Sequence, residues 1–420
     1  MERKKLNVLM LGAGGVYHSE PVAHCIKKVQ TSWHIISHGI YKIGAQKEFV
    51  YLDDSAVFDE VYQLEDQCRN EQVGRHKSSD DKRESLMTNR PYWLKGLHMF
   101  HHSCKAWWAG VRHKNDFAPL MKDVDLLHLH SLFVNPAFLW LLTTPDKPLV
   151  VSCWGSDVLR TSDMHVTLMQ KTILDQASVI TVSNLEFKEI VMSKYGRHLE
   201  PKIVYAQFNP KIEGILKSSA LPISHDSPVG DVKTFRVCIG HNGTKQCNHR
   251  ELLSSIATLS SSLKSRIELY LPMTYGAAHG YVDEVREIAQ KSGCKFTLFE
   301  EYMSDEDVDT MHLNTDILLY APVSDAFSAT VTKALAAGTT VIAGAWLPYK
   351  SRVISGFKYH ELYELPEAAR MICQIIENWG NESEWGQHNR LLASKVFSEE
   401  AIGQGWIKAY QQALISTTKV

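Results

Sequence analysis

The sequence predicts an α/β protein of two similar-sized domains, and three observations carry that expectation. Short apolar runs rich in β-branched residues alternate with helix-length segments, and this alternation occurs twice along the chain. Between the two series lies LKSSALPISHDSPVGDVK, residues 216–233, whose Ser, Pro, Asp and Gly content is that of a linker. The length of 420 residues, 44% of them hydrophobic and 22% charged, suits two or three globular domains with sizeable cores. The expected organisation is a domain over 1–215, a linker over 216–233, and a second domain over 234–395. A closing helix over 396–420 is expected to return to the first domain. A cleft between two such domains is the default place for a ligand.

The totals exclude several classes. A net charge of −2 gives no reason to expect nucleic acid as a partner. The eight cysteines are scattered with no C-x-x-C pair, which argues against a disulfide framework or structural zinc and fits a reducing compartment. The apolar run after MERKK is too short for a secretory leader and passes into glycines, so it reads as a first strand. No stretch has the apolar length of a membrane span. The expectation is a cytoplasmic protein that touches a membrane, if at all, from its inner face.

Taken in order, Leu6 to Leu11 is a buried strand, followed by Gly12, Gly14 and Gly15 and a helix from Glu20 to Val29. The turn GAGGVY lacks the full dinucleotide fingerprint, so a nicotinamide-binding domain is a weaker alternative. Further strands are expected over 34–37, 48–52 and 60–63. Residues 66–89 are polar and read as a loop. Residues 90–114 differ: Trp93, Phe100, Trp107 and Trp108 interleave with Lys95, Lys105, Arg112 and Lys114. Two readings fit, a core helix with solvated lysines or an amphipathic helix lying on a lipid surface. Val124 to His130 is a strand carrying His128 and His130. Their spacing invites a metal, but no carboxylate or cysteine cluster stands nearby to complete a site. Residues 148–152 form a strand ending in Trp154-Gly155-Ser156-Asp157. Loops at strand C-termini are where open α/β sheets bind ligands. Asp157 there suits either a general base or a helix cap. The helix over 163–176, the strand over 178–182 and the helix over 186–194 complete the first series.

The second series opens with FRVCIGHNGTKQCNHR, Phe235 to Arg250: a strand, a glycine turn and a helix start. Such a turn directs backbone N–H groups at an anion. Asn242, Gly243, Thr244 and Asn248 add neutral donors or close approach, and Lys245 adds charge. An ordinary connecting loop is the plainer alternative. Strands follow at 266–271 and 295–299, leading respectively into Thr274-Tyr275-Gly276 and Glu300-Glu301-Tyr302. The strand at 316–320 leads into Asp325-Ala326-Phe327-Ser328 and a helix from Thr330 to Ala337, whose small leading residues leave its N-terminus open to an anion. Lys333 on that helix either adds a charge or is a solvated surface lysine. The strand at 340–343 ends the pattern.

This order of motifs resembles the GT-B glycosyltransferases, which have two Rossmann-like domains facing a central cleft. The W-G-S-D turn and the segment SDAFSATVTKALAAGTTVIA resemble the large retaining family with an E-x7-E motif. Here Asp325 and Lys333 stand at its two glutamates, so the donor's ribose must be held differently. A nearer likeness, over most of residues 235–412, is to the TDP-fucosamine (4-acetamido-4,6-dideoxygalactose) transferases. It rests on Gly240 to Thr244 with Asn248-His249, on Leu271, Pro272, Tyr275 and Gly276, and on Phe397-Ser398 with Gln404-Gly405-Trp406.

The resemblance implies a metal-independent glycosyltransferase. It would move a sugar from a nucleotide-diphosphate sugar to a saccharide, lipid-linked at the inner membrane face, in cell-envelope polysaccharide synthesis. Expected donor residues are Asn242, Gly243, Thr244, Lys245, Asn248, Thr274, Tyr275, Tyr302, Asp325, Ala326, Phe327, Ser328 and Lys333. Gly14, Gly15, Trp154 and Ser156 are expected at the acceptor, with Asp157 and then His18 as candidate bases. A nucleotide-sugar epimerase and a catalytically inactive sugar-nucleotide-binding protein are the rival readings.

Overall fold

The computed structural model describes residues 6–12, 16–39, 60–63, 104, 107–108, 110–112, 114–134, 138–218 and 233–417. The expectations for Gly14, Gly15, the strand over 48–52, the polar stretch 66–89, most of 90–114 and most of the 216–233 linker lie outside these residues. So does the side chain of His18.

The chain divides into two units. The first comprises residues 1–183, 188–208 and 402–420; the second comprises 184–187 and 209–401. The first holds a parallel sheet of seven strands: β1 (Asn7–Gly12), β2 (His34–Gly39), β3 (Glu60–Gln63), β4 (Leu126–Leu129), β5 (Leu149–Ser152), β6 (Val179–Val182) and β7 (Ile203–Tyr205). Their order is β3-β2-β1-β4-β5-β6-β7. Strands β4, β5 and β6 are buried throughout, as their unbroken apolar runs require of a sheet covered on both faces.

The helix Glu399–Thr417 closes this first unit. Trp406 is fully buried and donates its indole N–H to the Gln207 carbonyl at 2.8 Å. Tyr410 Oη meets His128 Nδ1 at 2.6 Å, while His128 Nε2 meets Ser152 Oγ at 2.7 Å. Both ring nitrogens of His128 are thus engaged, and burial with His130 beside it holds the imidazole well below its usual pKa. His128 links the sheet to the helix; it is not poised as a metal ligand. Gly403 permits the approach, because a Cβ there would fall 2.2 Å from the Cys25 carbonyl oxygen.

The second unit holds a parallel sheet of six: β8 (Phe235–Ile239), β9 (Ile267–Pro272), β10 (Lys295–Phe299), β11 (Ile317–Tyr320), β12 (Thr340–Gly344) and β13 (His360–Leu362). The order is β10-β9-β8-β11-β12-β13. Chain progress runs outward in one direction from β8 and in the other from β11. The order therefore reverses between these two neighbours, which pair in register as Val237 with Ile317 and Ile239 with Leu319. In the first sheet the reversal falls between β1 and β4. Loops at the carboxyl side of such a reversal part and leave a crevice.

Candidate functional site in the second unit

In the second unit the loops at the carboxyl side of the reversal are those after β8 and β11. Gly240 leaves β8 with φ +72°, a conformation that suits glycine, and a Cβ there would press on His249 and Cys247. The chain then folds on the Asn242 side chain. Its Oδ1 accepts from Thr244 N at 3.0 Å and Thr244 Oγ1 at 2.7 Å, an Asx turn that fixes the loop. Gly243 N donates to the Tyr275 carbonyl at 2.8 Å, and a Cβ on Gly243 would lie 2.8 Å from Ala277 Cβ. This brings the loop after β9 against the loop after β8. Asn248, at φ +56°, takes the left-handed conformation that asparagine tolerates and opens the helix His249–Ile256.

The second loop is tied to the first. Asn248 Nδ2 donates to the Ala321 carbonyl at 2.8 Å, and Val323 N donates to the Gln246 carbonyl at 2.8 Å. The His241 and Tyr320 rings lie 5.4 Å apart. From there Ser328 caps the helix Ala329–Ala337, its hydroxyl accepting from Val331 N at 3.1 Å. Two glycine- or small-residue-led helix starts thus open on one edge of one sheet, at the strand-order reversal. Helix starts carry amide N–H groups without intrahelical partners and a positive dipole end.

Local electrostatics are shaped by His241. Burial pushes the Cys247 thiol up, but the imidazole of His241, with Nδ1 3.6 Å from Sγ, outweighs it by hydrogen bonding and charge and brings the thiol to about 7. Burial, with His241 adding to it, pulls His249 down to about 4, so that imidazole is neutral at pH 7.

Several expected ligands have other duties. Asp325 is engaged on both oxygens: Oδ2 accepts from Tyr320 at 2.8 Å and Tyr349 at 2.7 Å, and Oδ1 from Ala326 N at 2.8 Å. It braces the loop, and a carboxylate this short is well matched to its own backbone. Lys333 is neither solvated nor directed at the crevice; it is buried in an ion pair with Asp309 on the helix Asp305–Leu313. Phe327 is core, packed edge-on to Phe397 at 6.0 Å, and the Ala326 carbonyl accepts from Asn184 Nδ2 at 2.7 Å. Tyr275 and Tyr302 are exposed, Tyr302 at 71%, Lys245 is exposed, and Thr274 is half-buried.

In the first unit, Asp157 is 1% exposed. Its carboxylate accepts from Leu132 N at 3.0 Å, Gly155 N at 2.9 Å and Trp154 N at 3.1 Å. Burial raises its pKa and these N–H groups oppose the rise. It is an internal anchor for the turn; the N-cap of the helix Ser156–Leu159 is Gly155 with no side-chain cap bond, so Asp157 does not cap that helix. Trp154 is half-buried and stacks on His130, while Ser156 is exposed.

Sequence reasoning missed His241, Cys247, Tyr349 and Arg352. His241 and Cys247 stood inside the quoted loop, six residues apart across its turn. Arg352 carried no signal: it follows a different strand and reaches the loop only through the fold.

No protein-family model and no curated protein sequence matches the chain. Solved structures do. A glycosyltransferase from Rickettsia africae superposes with a TM-score of 0.68 at 13% identity, covering 98% of this chain and 99% of that one. Sucrose-phosphate synthase from Thermosynechococcus elongatus gives 0.64 at 13% identity, covering 98% and 100%. Anabaena HepE, solved in complex with UDP and glucose, gives 0.63 at 15% identity, covering 97% and 99%. Likeness at this identity establishes the fold. The chain has the GT-B fold of two Rossmann-like units, and glycosyltransferases are among its structural neighbours.

Proposed function

We propose that the protein is a glycosyltransferase that takes a nucleoside-diphosphate sugar at the second unit. The observation that carries this reading is that the loops after β8 and β11, each leading into a helix start, are tied together at one strand-order reversal, Asn248 to Ala321 and Val323 to Gln246. Backbone N–H groups at the two starts hold the diphosphate without a metal, with Asn242, Gly243 and Thr244 shaping the first. Lys245, exposed beside them, adds charge. Tyr302, after β10 at the same carboxyl edge, lies toward the nucleobase.

The first unit takes the acceptor at the loops bearing Gly14, Gly15, Trp154 and Ser156, and His18 remains the candidate base. The resemblance over residues 235–412 supports an acceptor that is a lipid-linked saccharide of the cell envelope, reached from the cytoplasmic face. Among the described residues no helix is long and apolar enough to cross a membrane. The interleaved aromatic and basic residues of 90–114 are the proposed contact with lipid. Catalysis then rests on stabilising the diphosphate as it leaves.

The test is a thermal-shift panel of UDP-, GDP-, TDP- and CMP-sugars, followed by product analysis with saccharide acceptors. One donor at a hundredfold its Kd stabilises by about 2.7 kcal/mol through mass action and raises the midpoint. Transfer persists in EDTA. An altered sugar formed without an acceptor identifies an epimerase, and binding without turnover identifies an inactive binding protein.

A further inference from the structure

Arg352 lies on the short helix Lys350–Ile354 after β12, and its side chain is 6% exposed. Nη2 donates to Thr332 Oγ1 at 3.1 Å and approaches the Ser328 carbonyl at 3.4 Å. The guanidinium therefore rests against the first turn of the helix Ala329–Ala337. The rings of Phe327 and Tyr349 flank it, their centroids 4.6 and 4.8 Å from Cζ. Nε and Nη1 have no hydrogen-bond partner among the described residues. A guanidinium carries five N–H donors in a fixed fork and stays charged. Three of them, one on Nε and two on Nη1, are thus unfilled. Burying a charge with empty donors costs several kcal/mol.

The surroundings relieve that cost only in part: Asp325 and the two ring faces favour the charge, but nothing among the described residues accepts from Nε or Nη1. Asp325 is the carboxylate whose charge Arg352 feels, but its oxygens already accept from Tyr320, Tyr349 and Ala326 N. The adjoining helix end is itself positive and offers first-turn amides. Two positive groups side by side repel each other unless an anion joins them. The same fork also matches the oxygens of a phosphate in pairs.

We propose that Arg352 and the N-terminus of the helix Ala329–Ala337 form an anion site for the terminal phosphate of a nucleoside diphosphate. Naming that anion rests on the glycosyl-transfer reading; the site itself does not. In the transfer, the bond between the anomeric carbon and the phosphate oxygen breaks and its electron pair stays on that oxygen. The acceptor oxygen bonds to the carbon and releases its proton to the base, for which His18 is the candidate. Arg352 meets the charge that the leaving oxygen gains, the role sequence reasoning gave to Lys333. Nε and Nη1 are buried, so a phosphate reaches them only when the neighbouring loops give way.

The test is calorimetric titration of the full chain with inorganic pyrophosphate, UMP and UDP, for wild type, Arg352→Met, Arg352→Lys and Thr332→Val. The preference for UDP over UMP should fall at least about tenfold in Arg352→Met and pyrophosphate binding should fade, each tenfold being about 1.4 kcal/mol. UMP affinity should hold. Arg352→Lys should recover part of the preference, which a purely packing role does not predict. The midpoint of Arg352→Met without ligand should hold or rise, since an unfilled buried charge is gone. Should Arg352→Met not fold, Thr332→Val removes the acceptor that aims the guanidinium and should lower the same preference several-fold. An unchanged UDP-to-UMP ratio in these variants overturns the inference and leaves the transferase reading standing. Arg352-dependent pyrophosphate binding with no nucleotide binding keeps the anion site and removes the nucleotide. Binding of none of the three overturns both.

Discussion

Asp157 and Asp325 show how one residue type serves two ends. Each follows a strand at its carboxyl edge, where catalytic carboxylates also occur. Each is instead held by N–H and O–H donors around it: the amides of Trp154 and Gly155 in its own turn and of Leu132 after β4 for Asp157, and Tyr320, Tyr349 and the Ala326 amide for Asp325. An aspartate is short enough to fold back on its backbone, and no sequence pattern separates that from a reach outward. Asp157→Asn puts an NH2 group among donors that need an acceptor. It should lower the unfolding free energy by about 1–3 kcal/mol in denaturant titration, with nucleotide affinity unchanged. Unchanged stability with a collapse in turnover would restore Asp157 as the base.

Among elements, the alternation of strands and helices was legible, because unbroken apolar runs such as ILLY and TVIAG belong to buried parallel strands. The two strand-to-helix loops after β8 and β11 were legible as loops as well, from the glycine and small residues that separate strand from helix. What surrounds them was not. Lys333 was ambiguous from its neighbours and is decided by Asp309 on a separate helix. Arg352 arrives from β12 and reaches the helix Ala329–Ala337 through packing alone. The closing helix was expected from its place at the chain's end, but its grip lies in Trp406 and Tyr410. Trp406→Ala should cost about 3–5 kcal/mol by transfer and cavity terms, read as a lower urea midpoint for the first unit. A loss under about 1 kcal/mol would mean that the helix is not held by this ring.

At the scale of the whole molecule, each unit's sheet reverses strand order once, between β1 and β4 and between β8 and β11. The proposed nucleotide site lies at the second reversal, where both loops would hold one diphosphate. Hydrogen exchange read by mass spectrometry, with and without saturating nucleoside diphosphate, tests this most directly. Amide protection reports local opening, and a ligand that bridges two loops protects both. Exchange should slow in residues 240–248 and 326–331 together, at the same ligand concentration. Protection of one segment without the other, or of neither, would contradict the proposed site.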